Sequence, residues 1–248
     1  MDQGYVLHTY PYRETSLILQ AWTEKHGRLA LVAKGARRPK SASRIVLVPF
    51  QPLTLDWFGR GELRTLKTAE PTVPATPLAG EALMSAFYMN ELLLKLTTRD
   101  DPHEALFAAY DAAISDLRAL SRARDLPPAT CDLEPILRRF ELKLLQELGY
   151  ALELAREAGS HAPIAAEREY FYVVERGAVA AAEGETPSNA VRLRGLTLID
   201  LERGRFEDPT TVAQSKQLMR LLIHHSLNGQ ELATRMLARD LQRTKEGE

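Results

Sequence analysis

Five short β segments lie within the first seventy residues, and they constrain the fold more than any other feature of the chain. Each is an apolar or alternating run bounded by glycine, proline or polar turn residues. The predicted strands are residues 4–10, 15–23, 28–34, 50–58 and 61–69. Five strands of this length so close together fit a small Greek-key barrel such as an OB-fold.

A strongly basic segment lies between the third and fourth of these strands. Residues 34–44, called the basic loop below, hold five cations and no acid. The cations are Lys34, Arg37, Arg38, Lys40 and Arg44. Gly35 and Pro39 argue against a helix, and the apolar runs at 29–33 and 45–48 are both predicted to be strands. Such a loop suits a phosphate backbone, although a solvated surface loop is an open alternative.

Charge is unevenly distributed along the chain, although the formal net charge is only −1. Residues 1–70 hold 11 Lys and Arg against 6 Asp and Glu, whereas residues 81–200 hold 13 against 20. A basic first part beside an acidic middle indicates that the first part contacts a polyanion.

Aromatic residues of the barrel are candidate stacking platforms for unpaired bases. They are Tyr10, Tyr12, Trp57 and Phe58. The alternative is that they fill the barrel core and rim, and for Trp57 we favour this alternative. Pro11 makes the first connection irregular, which leaves Tyr12 and Arg13 free for contact.

After Pro71, Pro74 and Pro77 the pattern becomes mostly helical. Helices are predicted at residues 78–98, 102–121, 131–148, 210–227 and 230–241, with short strands at 170–174 and 191–193 and a loop at 121–130. The chain is therefore expected to be α+β. Residues 1–77 would form the barrel domain and 78–248 the helical domain, which includes a distinct segment at about 150–205.

The single cysteine, Cys131, excludes an intramolecular disulfide and a zinc site built on several cysteines. The first residues lack the basic and apolar regions of a signal peptide, and no apolar run is long enough to span a membrane. We therefore expect a cytoplasmic protein. Phosphate-loop, G-x-S-x-G and H-E-x-x-H motifs are also missing from the sequence, so we expect no catalytic activity and no cofactor.

Several segments, in their order and spacing, resemble the RecO family of bacterial recombination mediators. The resemblance covers residues 4–150 well and the last quarter loosely. Its motifs are Tyr5-Val6-Leu7-His8, Glu14-Thr15-Ser16-Leu17-Ile18-Leu19, Val32-Ala33-Lys34-Gly35-Ala36-Arg37, Pro49-Phe50-Gln51-Pro52, Tyr88-Met89-Asn90-Glu91-Leu92-Leu93 and Leu137-Arg138-Arg139-Phe140-Glu141-Leu142-Lys143-Leu144-Leu145.

The resemblance implies a DNA repair and recombination protein associated with the nucleoid. It would bind single- and double-stranded DNA through the barrel, anneal complementary strands and, with RecR, help load RecA onto DNA coated by the single-stranded-DNA-binding protein. A protein-interaction scaffold that does not bind DNA is the alternative. Besides the five loop cations, the DNA-binding candidates are Arg13, Arg64 and Lys67.

The family also binds the acidic, phenylalanine-ended tail of the single-stranded-DNA-binding protein on its helical domain. Arg138 and Arg139 are the candidates here, because an arginine beside an apolar face can bind a terminal carboxylate. The alternative is that these arginines are solvated and pair with Glu134 or Glu141.

Many family members carry a four-cysteine zinc finger in the region of residues 150–205. Here Ala155-Arg156-Glu157-Ala158-Gly159 stands where the first cysteine pair would fall. We expect a metal-free, finger-like remnant that rests on its own small core. His224 and His225 are neighbours on a predicted helix and point about 100° apart, so dipole capping or core packing is favoured over a metal site.

Overall fold

The computed structural model describes residues 1–122, 133–150, 152–182 and 187–246. The chain divides into two compact units, Met1–Cys131 with Leu232–Glu248, and Asp132–Glu231. Most of the predicted loop at 121–130 and the predicted start of the third helix lie outside the described residues. The predicted boundary after residue 77 stays a prediction.

Eight strands and seven helices make up the described chain. The strands are β1 Asp2–Tyr12, β2 Ser16–Thr23, β3 Gly27–Ala33, β4 Leu53–Phe58, β5 Leu63–Pro71, β6 Glu169–Val173, β7 Gly177–Ala180 and β8 Ala190–Arg194. The helices are α1 Ser43–Val46, α2 Gly80–Leu96, α3 Glu104–Arg122, α4 Leu133–Glu147, α5 Gly195–Glu202, α6 Pro209–Ser226 and α7 Ala233–Glu246. None of these helices is long and apolar enough to cross a lipid bilayer.

The first five strands close into a barrel in the order β1-β2-β3-β5-β4. Strands β3 and β5 pair in parallel, and the other neighbours pair antiparallel. Its core consists of inward-facing aliphatic side chains, including Val6, Leu19, Leu31, Leu53 and Leu55, which are fully buried. The predicted five-stranded barrel and the α+β class are confirmed.

One predicted strand of this region is wrong. Residues 45–48 do not form a strand; α1 occupies Ser43–Val46, and the Leu47 amide donates to the Ser43 carbonyl at 2.9 Å. Leu47 is buried while Ile45 is 81% exposed, so the two do not share a face as alternate strand residues would. Every barrel strand already has two strand neighbours, so residues 45–48 cannot join the closed sheet.

A buried polar contact joins the barrel to α2 within the first unit. The β1–β2 register shifts between Val6 and His8, which takes the Leu7 carbonyl out of the regular ladder. The Asn90 amide donates to this carbonyl at 2.9 Å, and the Tyr110 hydroxyl donates to Asn90 at 2.7 Å. Burial raises the pKa of Tyr110, so its hydroxyl stays protonated and remains a donor.

The C-terminal helix α7 is capped by a carboxylate of α2. The backbone amides of Ala233 and Thr234 donate to Glu91 at 2.8 and 2.9 Å, and the Thr234 hydroxyl donates to the same carboxylate at 2.7 Å. A carboxylate at this end also interacts favourably with the helix dipole. The cap explains why α7 belongs to the first unit although it is last in the sequence.

The second unit contains a three-stranded sheet, ordered β7-β6-β8, together with α4, α5 and α6. Residues 154–172, which contain the predicted finger-like remnant, are held by hydrogen bonds around Glu157. This carboxylate accepts from Ser160 at 2.8 Å and from the Tyr170 hydroxyl at 3.2 Å, while the same hydroxyl accepts from the Ala165 amide at 3.0 Å. Buried Leu154, Ile164, Tyr170, Phe171 and Tyr172 pack in this segment.

No cluster of three or more potential metal-ligating side chains occurs among the described residues. The metal-free remnant stays a prediction, and elemental analysis of the purified protein for bound zinc tests it directly.

Candidate nucleic-acid interface

The basic loop is anchored to the barrel by its backbone and exposes its charged side chains. It follows β3 directly and turns at Gly35, whose φ is +70°. Ala36 is fully buried, and the Arg37 amide donates to the Thr15 carbonyl at 2.9 Å. All five cations of the loop are exposed. The loop therefore holds its positive charge at fixed positions in contact with solvent.

Most of the candidate cations have no carboxylate partner within the part of the chain that the structure describes. Among the described residues, no ion pair involves the five loop cations or Arg13. The Arg37 guanidinium donates to the Arg13 backbone carbonyl at 3.4 Å, and the Arg13 guanidinium lies 5.2 Å from the centre of the Tyr12 ring. The positive charge of this surface is thus not neutralised by its neighbours, as a phosphate-binding surface requires.

The two β5 candidates are engaged differently. Arg64 pairs with Asp100, and Lys67 lies 2.9 Å from Asp56. The hydrogen bond from Lys67 lowers the pKa of Asp56, so this carboxylate is ionised near neutral pH. Either cation would have to share or leave its carboxylate to bind a phosphate. Their role in DNA binding stays a prediction, with less support than that of the loop cations.

A cleft of about 640 Å³ lies between the β1–β2 turn and the basic loop. Its lining includes Tyr12, Arg13, Glu14, Lys34, Arg38 and Thr65. Three candidate cations therefore line one concave surface on the barrel. Sequence reasoning identified Tyr12 and the cations but not Glu14, because a lone acid in a turn gives no signal until the fold places it beside them.

The other candidate platforms have different surroundings. Tyr10 and Phe58 are 47% and 56% exposed, and Tyr10 packs edge-on against His8. Trp57 is half-buried, packs edge-on against His26 at 5.1 Å and contacts the barrel core, in line with the favoured alternative. Tyr10, Tyr12 and Phe58 are thus better placed than Trp57 to meet a base.

The two arginines proposed for tail binding differ sharply. Arg138 is 5% exposed and donates to Glu141 at 3.1 Å, so it is paired as the alternative proposed but is buried rather than solvated. Arg139 is exposed, and its guanidinium lies 5.4 Å from the centre of the Phe206 ring. Of the two, Arg139 is the one that can reach a carboxylate from outside.

Both histidines lie in the last turn of α6, where a protonated imidazole would interact favourably with the helix dipole, so that favoured role stays a prediction. His225 contacts Glu175 at 3.1 Å, and Glu175 belongs to the turn between β6 and β7. His224 is exposed, next to Gly229. His225 therefore links the end of α6 to the β6–β7 turn, and neither histidine is buried in the core.

A closed barrel of the OB type, carrying an uncompensated basic loop and followed by helices, defines an OB-fold protein with a largely helical second region. Two family models match the chain: Recombination protein O N terminal at residues 1–75 and Recombination protein O C terminal at residues 78–236. The chain belongs to this family, the RecO family of DNA repair proteins.

Curated relatives agree with this assignment over nearly the full length. The chain is 49% identical to DNA repair protein RecO of Azoarcus sp. The aligned region covers 97% of this chain and 95% of the relative. It is 48% identical to the protein of that name in Nitrosospira multiformis, over 96% and 94% of the two chains. It is 47% identical to the one in Ralstonia nicotianae, over 97% and 84%.

Proposed function

We propose that this protein binds DNA through its barrel and acts as a non-catalytic mediator of recombinational repair. The observation that carries the proposal is the anchored basic loop, whose five cations are exposed and make no ion pair within the described chain. Cations held in this way can neutralise phosphates and release counterions, which is the main source of affinity for a nucleic-acid backbone.

The same surface supports strand annealing. Two complementary strands repel each other through their phosphates, and a protein that neutralises both lowers this barrier. By family membership, the protein would also act with RecR to help RecA replace the single-stranded-DNA-binding protein. No bond is made or broken in these steps. The alternative, a scaffold that does not bind DNA, leaves the uncompensated charge of the basic loop without a role.

An annealing assay tests the proposal. Two complementary labelled oligonucleotides are mixed at low concentration, and duplex formation is followed by fluorescence transfer with and without the protein. We expect the protein to accelerate annealing without any added nucleotide. Unchanged annealing at protein concentrations that saturate both strands would reject the annealing role, and failure to bind either strand would reject the proposed function as a whole.

We further propose that Arg139 receives the C-terminal carboxylate of the single-stranded-DNA-binding protein's tail. Its guanidinium is exposed beside the Phe206 ring, whereas Arg138 is already used by Glu141. An arginine beside an aromatic surface can bind the carboxylate while the peptide's terminal phenyl ring packs on apolar side chains.

Titration of a labelled acidic peptide ending in phenylalanine tests this site. Arg139→Ala should weaken binding about ten-fold, because a hydrogen bond to a charged group is lost. Arg176→Ala is the control, since Arg176 is also exposed in the second unit and lies in the turn after β6. Equal affinities of the two variants would exclude Arg139 from the peptide site.

A further inference from the structure

The cleft between the β1–β2 turn and the basic loop has a lining that a simple phosphate site would not need. Beside Arg13, Lys34 and Arg38, its lining residues include the exposed acid Glu14 and the half-buried aromatic residue Tyr12. A carboxylate repels phosphate, and an aromatic ring offers it nothing. The combination of cations, one acid and one ring instead matches a ligand that has an anionic part and a flat, hydrogen-bonding part.

Both walls of this cleft are held in place. The Arg37 amide donates to the Thr15 carbonyl at 2.9 Å, and its guanidinium donates to the Arg13 carbonyl at 3.4 Å. These bonds fasten the basic loop to the β1–β2 turn. Ser16, Val32 and Thr65 in the cleft come from β2, β3 and β5 of the closed barrel. The cleft is therefore formed before any ligand arrives, which lowers the cost of binding.

We propose that this cleft seats one unpaired nucleotide of a single strand, with the base edge at Glu14 and the flanking phosphates at Arg13, Lys34 and Arg38. The inference rests on the proposed DNA binding. The cleft has a volume of about 640 Å³, within the range of about 300–1,000 Å³ found for small-ligand sites. A base in a duplex would first have to be unpaired and unstacked to enter, so the cleft favours a single strand.

Glu14 gives this site a preference among bases. An ionised carboxylate only accepts hydrogen bonds, so it pairs well with the exocyclic amine of cytosine. Thymine presents a carbonyl oxygen at the same position, which the carboxylate repels. Cytosine and thymine are both pyrimidines of similar size, so a comparison between them isolates this contact from stacking and from phosphate binding.

Oligo-dC and oligo-dT of equal length, titrated against the full chain, test the inference. We expect oligo-dC to bind about five-fold more tightly, at the lower end of the effect of one base contact. Glu14→Gln should abolish this difference, because an amide can also donate to thymine. Glu62→Gln is the matched control: Glu62 is an exposed barrel carboxylate in the β4–β5 turn, outside the cleft lining, and its variant should keep the preference.

The outcomes separate this inference from the proposed function. Salt-dependent binding with equal affinity for both oligonucleotides would overturn the nucleotide site and leave DNA binding standing. A dC preference that survives in Glu14→Gln would overturn it as well. Absence of binding to either oligonucleotide would overturn both. A preference lost only in Glu14→Gln supports the site.

Discussion

Reversing two charges of the basic loop, by Arg37→Glu together with Arg38→Glu, is expected to weaken single-stranded DNA binding about 25-fold at about 0.1 M salt. For each phosphate contact on a single strand, affinity varies with about the −0.7 power of the salt concentration. At about 0.1 M salt, one decade below 1 M, two lost contacts therefore lower the affinity by about 10 to the power 1.4. Repulsion between the new carboxylates and the phosphates adds to this loss. Fluorescence anisotropy of a labelled oligonucleotide measures it.

The fold should tolerate these two substitutions. Both side chains are exposed, and the Arg37 contact with the barrel is mainly the bond from its backbone amide, which glutamate retains. Arg203→Glu together with Arg205→Glu is the control, because it changes the net charge equally with two exposed arginines of the second unit. Equal losses in the two double variants would show that total charge, rather than the basic loop, determines affinity.

The second large effect is on stability. Gly27→Ala is expected to lower the free energy of unfolding by about 2–5 kcal/mol. This figure adds the cost of a left-handed backbone at a residue with a Cβ to the cost of overpacking. Gly27 begins β3 with a φ of +65°, and an added Cβ would overlap the Asp101 carbonyl oxygen. That oxygen belongs to the backbone of the α2–α3 connection, so it cannot simply rotate away.

Gly61→Ala separates the two causes. Gly61 also has a positive φ, of +92°, but an added Cβ would meet nothing within 4 Å. Its variant should show only the backbone cost, so the midpoint of thermal unfolding should fall less than in Gly27→Ala. If the two midpoints fell equally, the overlap of the added Cβ with the α2–α3 connection would carry no energetic cost.

Much of this fold can be predicted from the sequence because apolar residues recur at regular intervals in its strands and helices. The five barrel strands and the long helices occur close to their predicted positions. Three short elements were missed. Part of helix α1 was predicted as a strand because the four consecutive apolar residues 45–48 show no helical or strand periodicity. Strand β7 begins at Gly177, which was interpreted as a break. Helix α5 follows β8 directly, with no polar segment to mark its start. For β7, pairing with β6, rather than local pattern, decides the conformation.

The candidate site was only partly accessible to sequence reasoning. Residues close in sequence, such as Arg37 and Arg38, can be recognised as a cluster from charge alone. Ion pairs between distant residues cannot: Arg64 of β5 pairs with Asp100 of the α2–α3 connection. Glu14 is the sequence neighbour of Arg13, but only the folded barrel places it in the same cleft as Lys34 and Arg38. Likewise, the burial of Arg138 against Glu141 separates it from Arg139, although the two are adjacent in the chain.

Phosphate binding by the basic loop is tested most directly by the salt dependence of DNA affinity. If about four phosphates of a single strand are contacted, affinity should fall about 50-fold between about 50 and about 200 mM salt. In the double variant Arg37→Glu with Arg38→Glu, two contacts remain and the fall should be about seven-fold. An affinity that does not change with salt, or an identical fall in both proteins, would contradict the account.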